Sequence, residues 1–206
     1  FVERDEFFDR RQLYGTPKGD YFDNLERYIF LAKAVKPVCQ ALNLQLDILH
    51  CHDWQSGLVP VYLREKWQNE EVFTKTASVF TIHNLAYQGL FAKEKYHLLD
   101  LDLSLFWMDG LEFYDKISFI KGGILWSDAI TTVSQQYSQE IQTQEFGCGL
   151  EGVLRTRADV LTGIVNGIDY GVWNPATDSL IAAPFSTTDL AGKEKNKQAL
   201  MTEYQL

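Results

Sequence analysis

The chain has 206 residues, 46% hydrophobic and 23% charged, the composition of a globular protein with room for one large domain or two small ones. Its 28 acidic residues outnumber 19 basic ones, for a net charge of −9; with no Lys/Arg cluster, this argues against nucleic acid or an anionic membrane as partner. No run approaches the roughly 18 apolar residues of a membrane span, and three cysteines (Cys39, Cys51 and Cys148), odd in number and without a CxxC pair, fit a reducing compartment.

In chain order, residues 24–42 carry apolar side chains at three- and four-residue spacing, which predicts a helix capped by Asn24 and kinked or split at Pro37. Residues 46–51 (LDILHC) are short and apolar and read as a strand. Residues 56–67 return to helical spacing, with Ser56 as cap and Pro60 in the tolerant first turn. A second strand is expected over 78–84 (SVFTIHN), followed by a long aromatic loop region to about residue 115. A helix over 117–128 contains Gly122-Gly123. A third strand over 129–134, a helical stretch over 135–144 and a fourth strand over 161–169 complete the series. Strands alternating with helices predict a βαβ pattern. The fold class is α/β, a Rossmann-like, doubly wound parallel sheet covered on both faces.

Every expected strand runs into polar residues: His50-Cys51-His52-Asp53-Trp54, His83-Asn84, Ser134 and Asn166-Gly167. Open parallel sheets bind ligands outside the carboxyl ends of their strands, so these residues are site candidates. Each has a plainer reading. Strand alternation places His50 and His52 on one face and Cys51 on the other, and only His83 could join the histidines as a zinc ligand, short of the usual convergent set. His50 reads as a buried, hydrogen-bonded histidine, and His52 as either core packing or site lining. Asp53 caps the following helix or holds the turn together, or else turns its carboxylate to the cleft. His83 is satisfied by its loop or faces a ligand. Asn166-Gly167 is a tight turn or part of the site. The aromatics of residues 90–114 form core, interface or a sugar-stacking platform. The KEKNK run, Lys193 to Lys197, reads as a solvated helix face.

Taken together, HCHDWQSGLVPVYL, SVFTIHNLAYQGLF, ISFIKGGILWSDAITTVS and LTGIVNGIDYGVWNP, in this order, resemble the bacterial glycogen synthases and the plant and algal starch synthases, over residues 8–206. The resemblance implies a GT-B architecture of two Rossmann-like domains. Residues 1–160 would be part of the N-terminal domain, and 161–206 the interdomain hinge and the start of the C-terminal one. It implies retaining transfer of glucose from ADP-glucose to the non-reducing 4-hydroxyl of an α-1,4-glucan, with ADP-glucose and glycogen or starch as partners, no cofactor and no metal. On this reading His83 and Asp53 are catalytic. Tyr14, Trp54, Gln55, Asn84, Gln88, Asn166 and Gly167 bind substrate, with His83 lining the donor glucose pocket, Tyr14 in the acceptor channel, Asp53 and Trp54 on the acceptor side and Asn166 near the donor sugar. The compartment would be bacterial cytoplasm or plastid stroma.

The sequence departs from the family pattern in three respects. The family's phosphate-holding lysine-glycine-glycine segment is not found, since Lys121-Gly122-Gly123 sits inside an expected helix. Gln55 stands where bacterial members commonly carry histidine. The chain begins at Phe1 and is expected to be a piece of a longer enzyme, inactive alone. The alternatives are a sucrose synthase-like or other GT-B transferase, a non-catalytic glucan-binding fragment, and a zinc hydrolase using His50, His52 and His83.

Overall fold

A computed structural model describes residues 2–206. The chain divides into two compact units, Phe1–Val165 and Asn166–Leu206. The first opens with one helical turn, α1 (Asp5–Phe8), and a hairpin of β1 (Gly15–Thr16) and β2 (Gly19–Asp20). Helix α2 (Asn24–Ala41) follows, then β3 (Ile48–His52), α3 (Leu58–Tyr62) and β4 (Ala77–Ile82). Next come three short strands, β5 (Leu90–Ala92), β6 (Glu112–Phe113) and β7 (Lys116–Ser118). The unit closes with α4 (Phe119–Trp126), β8 (Ala129–Thr132), α5 (Gln135–Glu140), α6 (Glu151–Thr156) and β9 (Leu161–Gly163).

The main sheet is parallel throughout, in the order β3-β4-β8-β9. It is the expected Rossmann-like α/β sheet. Its strand β4 pairs on both edges, and Ser78, Phe80, Thr81 and Ile82 are all buried. A central parallel strand is enclosed on both faces, so its sequence is apolar rather than alternating. Edge strand β3 alternates, with Cys51 buried and His50 and His52 exposed. Phe80, Ile82, Leu58, Tyr62, Phe119, Ile120, Ile124 and Ile130 form the fully buried centre. Gly123 makes this packing possible: any Cβ there would fall on the Phe80 ring.

Several sequence expectations need correction. Pro37 lies inside α2 without splitting it. Asn24 does not cap that helix: its side chain is buried and bonds the Tyr14 carbonyl and Arg27. The helix expected over 56–67 breaks into a 3₁₀ turn (Trp54–Ser56), α3 and a π-helical turn (Leu63–Trp67). Ser56 does not cap it either: its hydroxyl closes on the backbone of His52, accepting from N at 2.6 Å and donating to O at 2.7 Å. The region read as an aromatic loop contains a three-stranded antiparallel sheet, β5-β7-β6. Strands of two and three residues are too short to show periodicity. The fourth parallel strand stops at Gly163 instead of residue 169.

The second unit carries one helix, α7 (Ala191–Tyr204). Asn196 ties the preceding loop to it, donating to the carbonyls of Ala183 (2.6 Å) and Gly192 (2.9 Å) and accepting from the Ala183 N–H (3.1 Å). Lys193, Lys195 and Lys197 are exposed on this helix, as a solvated charged face requires.

Candidate functional site at the carboxyl ends of the parallel strands

Because β3 and β4 are parallel with His52 opposite Thr81, their next residues emerge side by side. Asp53 joins the two ends. Its N–H donates to the Thr81 carbonyl at 2.9 Å, and its Oδ1 accepts from the His83 N–H at 2.8 Å. This arrangement holds Asp53 at φ 52°, ψ −177°, a backbone region that is close to glycine-only. Its side chain makes no cap bond to the turn that follows. The capping alternative therefore fails, and the carboxylate braces the neighbouring strand end.

The histidines form a chain across the same edge. His52 Nδ1 lies 3.1 Å from His83 Nε2, and the His50 and His52 rings are 4.3 Å apart. His50 Nε2 meets Thr81 Oγ1 at 2.7 Å, and Thr81 Oγ1 meets Thr131 Oγ1 at 2.6 Å. His50 is thus hydrogen-bonded as expected, but it is exposed rather than buried. Desolvation, reinforced by His50 and His83, holds the His52 imidazole below the usual histidine range. Cys51 faces the opposite side of the strand, where burial pushes its thiol up to about 12. Among the described residues, no three His, Cys, Asp or Glu side chains are grouped to hold a metal ion.

Beside Asp53 opens a cavity of about 730 Å³. Six residues singled out in the sequence line it together: Tyr14, Asp53, Trp54, Gln55, Asn84 and Gln88. His83 lies outside this lining, in an adjoining hollow of about 640 Å³ whose wall shares Tyr14, Asp53 and Gln55 with the first. Trp54 is buried and fixed by aromatics on three sides: Tyr28 edge-on at 4.6 Å, Phe91 at 5.9 Å and Tyr14 at 6.4 Å between ring centres. Gly89 closes over it at φ +61°, where a Cβ would lie 2.5 Å from the indole. Gln88 is anchored through Nε2, which donates to the Cys148 carbonyl at 2.9 Å, while its buried Oε1 has no partner among the described residues. The exposed Asn84 carboxamide accepts from the Ala86 N–H at 3.0 Å. Asn166 and Gly167 belong to the second unit and are exposed there.

Sequence reasoning missed Asp20, Asn24 and Tyr87, which also line the cavity, whereas Phe91, one of the aromatics read as core, interface or stacking platform, is on its wall. For Asp20 and Asn24 the available signal was the polar turn GDYFDN leading into α2. The full lining holds two carboxylates, amides and aromatic rings, and no lysine or arginine. Such a wall suits a neutral ligand rich in hydroxyls: carboxylates and amides accept and donate hydrogen bonds, and ring faces cover apolar C–H surface.

Residues 1–156 match the family described as the starch synthase catalytic domain. The chain is 47% identical over 201 residues to a glycogen synthase of Thermodesulfovibrio yellowstonii, covering 98% of this chain and 40% of that protein. It is 49% identical over 206 residues to a glycogen synthase of Koribacter versatilis, covering 100% of this chain and 42% of that protein. Among solved structures it is similar to the catalytic domain of starch synthase IV from Arabidopsis thaliana bound to ADP and acarbose. The TM-score is 0.73 at 36% identity, covering 96% of this chain and 40% of that one. The chain thus spans about two fifths of the length of these relatives.

Proposed function

The chain belongs to the family of starch synthase catalytic domains, and from that premise we propose that the enzyme carrying it transfers glucose from ADP-glucose to the non-reducing 4-hydroxyl of an α-1,4-glucan with retention. The observation that carries the proposal is the cavity at the carboxyl ends of the parallel strands, carboxylate- and amide-lined, aromatic-walled and free of cationic side chains. That is the chemistry of a glucan acceptor site. The related starch synthase IV structure holds ADP and acarbose, a nucleotide and a saccharide, which supports the same pair of ligand classes here.

In this reading Trp54 and Tyr14 offer ring surface to the acceptor, and Gln55, Asn84 and Gln88 offer amides. The carbonyl and ring of His83 face the donor glucose, and the Asp53 carboxylate stands at the acceptor side of the same pocket, beside the reacting centre. Glucosyl transfer develops positive charge at the anomeric carbon, and fixed oxygen atoms stabilise it without reorganising during the reaction. Asp53 is suited to this because its carboxylate is already held by the His83 N–H. The reaction needs no metal if cationic side chains elsewhere in the whole enzyme neutralise the diphosphate leaving group. The compartment is the bacterial cytosol or the plastid stroma.

The test is transfer of radiolabelled ADP-glucose to glycogen by the whole enzyme, comparing wild type with His83→Ala and Asp53→Ala variants that remain folded. Labelled glucan from wild type and loss of it in both variants supports the assignment. Near-full activity in both variants would reduce these residues to structural strand ends.

A further inference from the structure

We propose that Arg27 is a positioning residue for the acceptor wall, acting through the segment that carries Tyr14. The proposal rests on the glucan-acceptor reading of the cavity. Arg27 is 3% exposed. Its guanidinium donates from Nε to the Phe7 carbonyl at 2.7 Å, from Nη2 to the Leu13 carbonyl at 3.0 Å, and from Nη1 to Asn24 Oδ1 at 2.6 Å. Asn24 Nδ2 passes the constraint on, donating to the Tyr14 carbonyl at 2.9 Å, and that carbonyl also accepts from the Tyr21 N–H at 3.0 Å. Three aromatic rings, Phe8, Tyr21 and Tyr28, pack around the guanidinium with centres 5.1–5.5 Å away.

This arrangement does more than the core requires. Burying a cation is costly, and an apolar side chain of the same volume generally serves stability as well. What the planar fork adds is direction, because its donors can satisfy several fixed acceptors at once in one geometry. Here two of the acceptors are backbone carbonyls, Phe7 ahead of and Leu13 within a stretch, residues 9–14, with no helix or strand of its own. Tyr14 is half exposed and, among the described residues, its ring has two aromatic neighbours, Trp54 at 6.4 Å and Tyr28 at 6.5 Å. Its backbone is therefore the means by which its position is set. Tyr28, one residue after Arg27 in α2, also holds Trp54. The same helical turn thus fixes both aromatic faces of the cavity.

A double-mutant cycle in the whole enzyme tests this, read as KM for maltoheptaose. Arg27→Lys keeps the charge but loses the fork and should raise that KM about tenfold, with kcat and the donor KM within about twofold of wild type. Asn24→Ala, a smaller change that removes one of the two bonds to the Tyr14 carbonyl, should act in the same direction. Adding Arg27→Lys to Tyr14→Ala should cost nothing further, because residues that act as one unit are not additive. Amide exchange at Tyr21 reads the clamp without any glucan and should speed up about tenfold or more in Arg27→Lys. Additive effects, an unchanged maltoheptaose KM, or kcat falling in step with the folded fraction would each overturn the proposal. An enzyme that exchanges as expected at Tyr21 but transfers no glucose to maltoheptaose would instead overturn the functional reading.

Discussion

Replacing Asp53 separates the strain in its backbone from the bond its side chain makes. At φ 52°, ψ −177° a residue with a Cβ costs about 1–3 kcal/mol, and glycine costs little. Glycine carries its own penalty of about 0.5–1 kcal/mol through the greater freedom of the unfolded chain. Both Asp53→Ala and Asp53→Gly lose the bond from the His83 N–H, so that loss cancels when the two variants are compared. The remainder favours glycine over alanine by about 1 kcal/mol, the midpoint of the two ranges. For a chain of this size that is a melting temperature about 2–4 °C higher for the glycine variant. Urea and thermal unfolding of the two variants, followed by circular dichroism, supply the measurement. An alanine variant as stable as the glycine variant would refute the argument, because it would mean that the backbone between β3 and the following turn relaxes at no cost.

Gly89→Ala should destabilise the fold by about 2–4 kcal/mol, the sum of a left-handed backbone and forced contact with Trp54, seen as a lower urea midpoint and altered tryptophan emission. Thiol labelling of the native chain should modify the exposed Cys148 first, while buried Cys39 and Cys51 react only on unfolding; burial raises both of their pKa values and so keeps them as unreactive thiols. Because the folded-state pKa of His52 is depressed, the unfolded chain binds the extra proton more readily, so stability contributed by this site is complete above about pH 6.5 and falls as the pH drops below it. A His52→Asn variant should flatten that part of the stability profile, measured as melting temperature from pH 5 to 8, and an unchanged slope would remove His52 from the account.

The sequence by itself determined the parallel α/β framework, because each long element imposes a period. The apolar spacing of residues 24–42 marked α2, and the β-branched runs marked β4 and β8. It also marked the strand ends as the place where polar residues gather, and the four ordered motifs identified the family. Only the tertiary structure decided what those residues do to one another. The Asp53 carboxylate finds the His83 N–H because the strands are parallel and in register, thirty residues apart in sequence. Asn24, read locally as a helix cap, instead bridges Arg27 to the Tyr14 carbonyl. Strands β5, β6 and β7 have no signal in their two or three residues, and they form because they pair with each other. Local pattern fixes periodic elements through burial of one face; contacts between non-periodic segments depend on register and close approach, which exist only once the chain has folded.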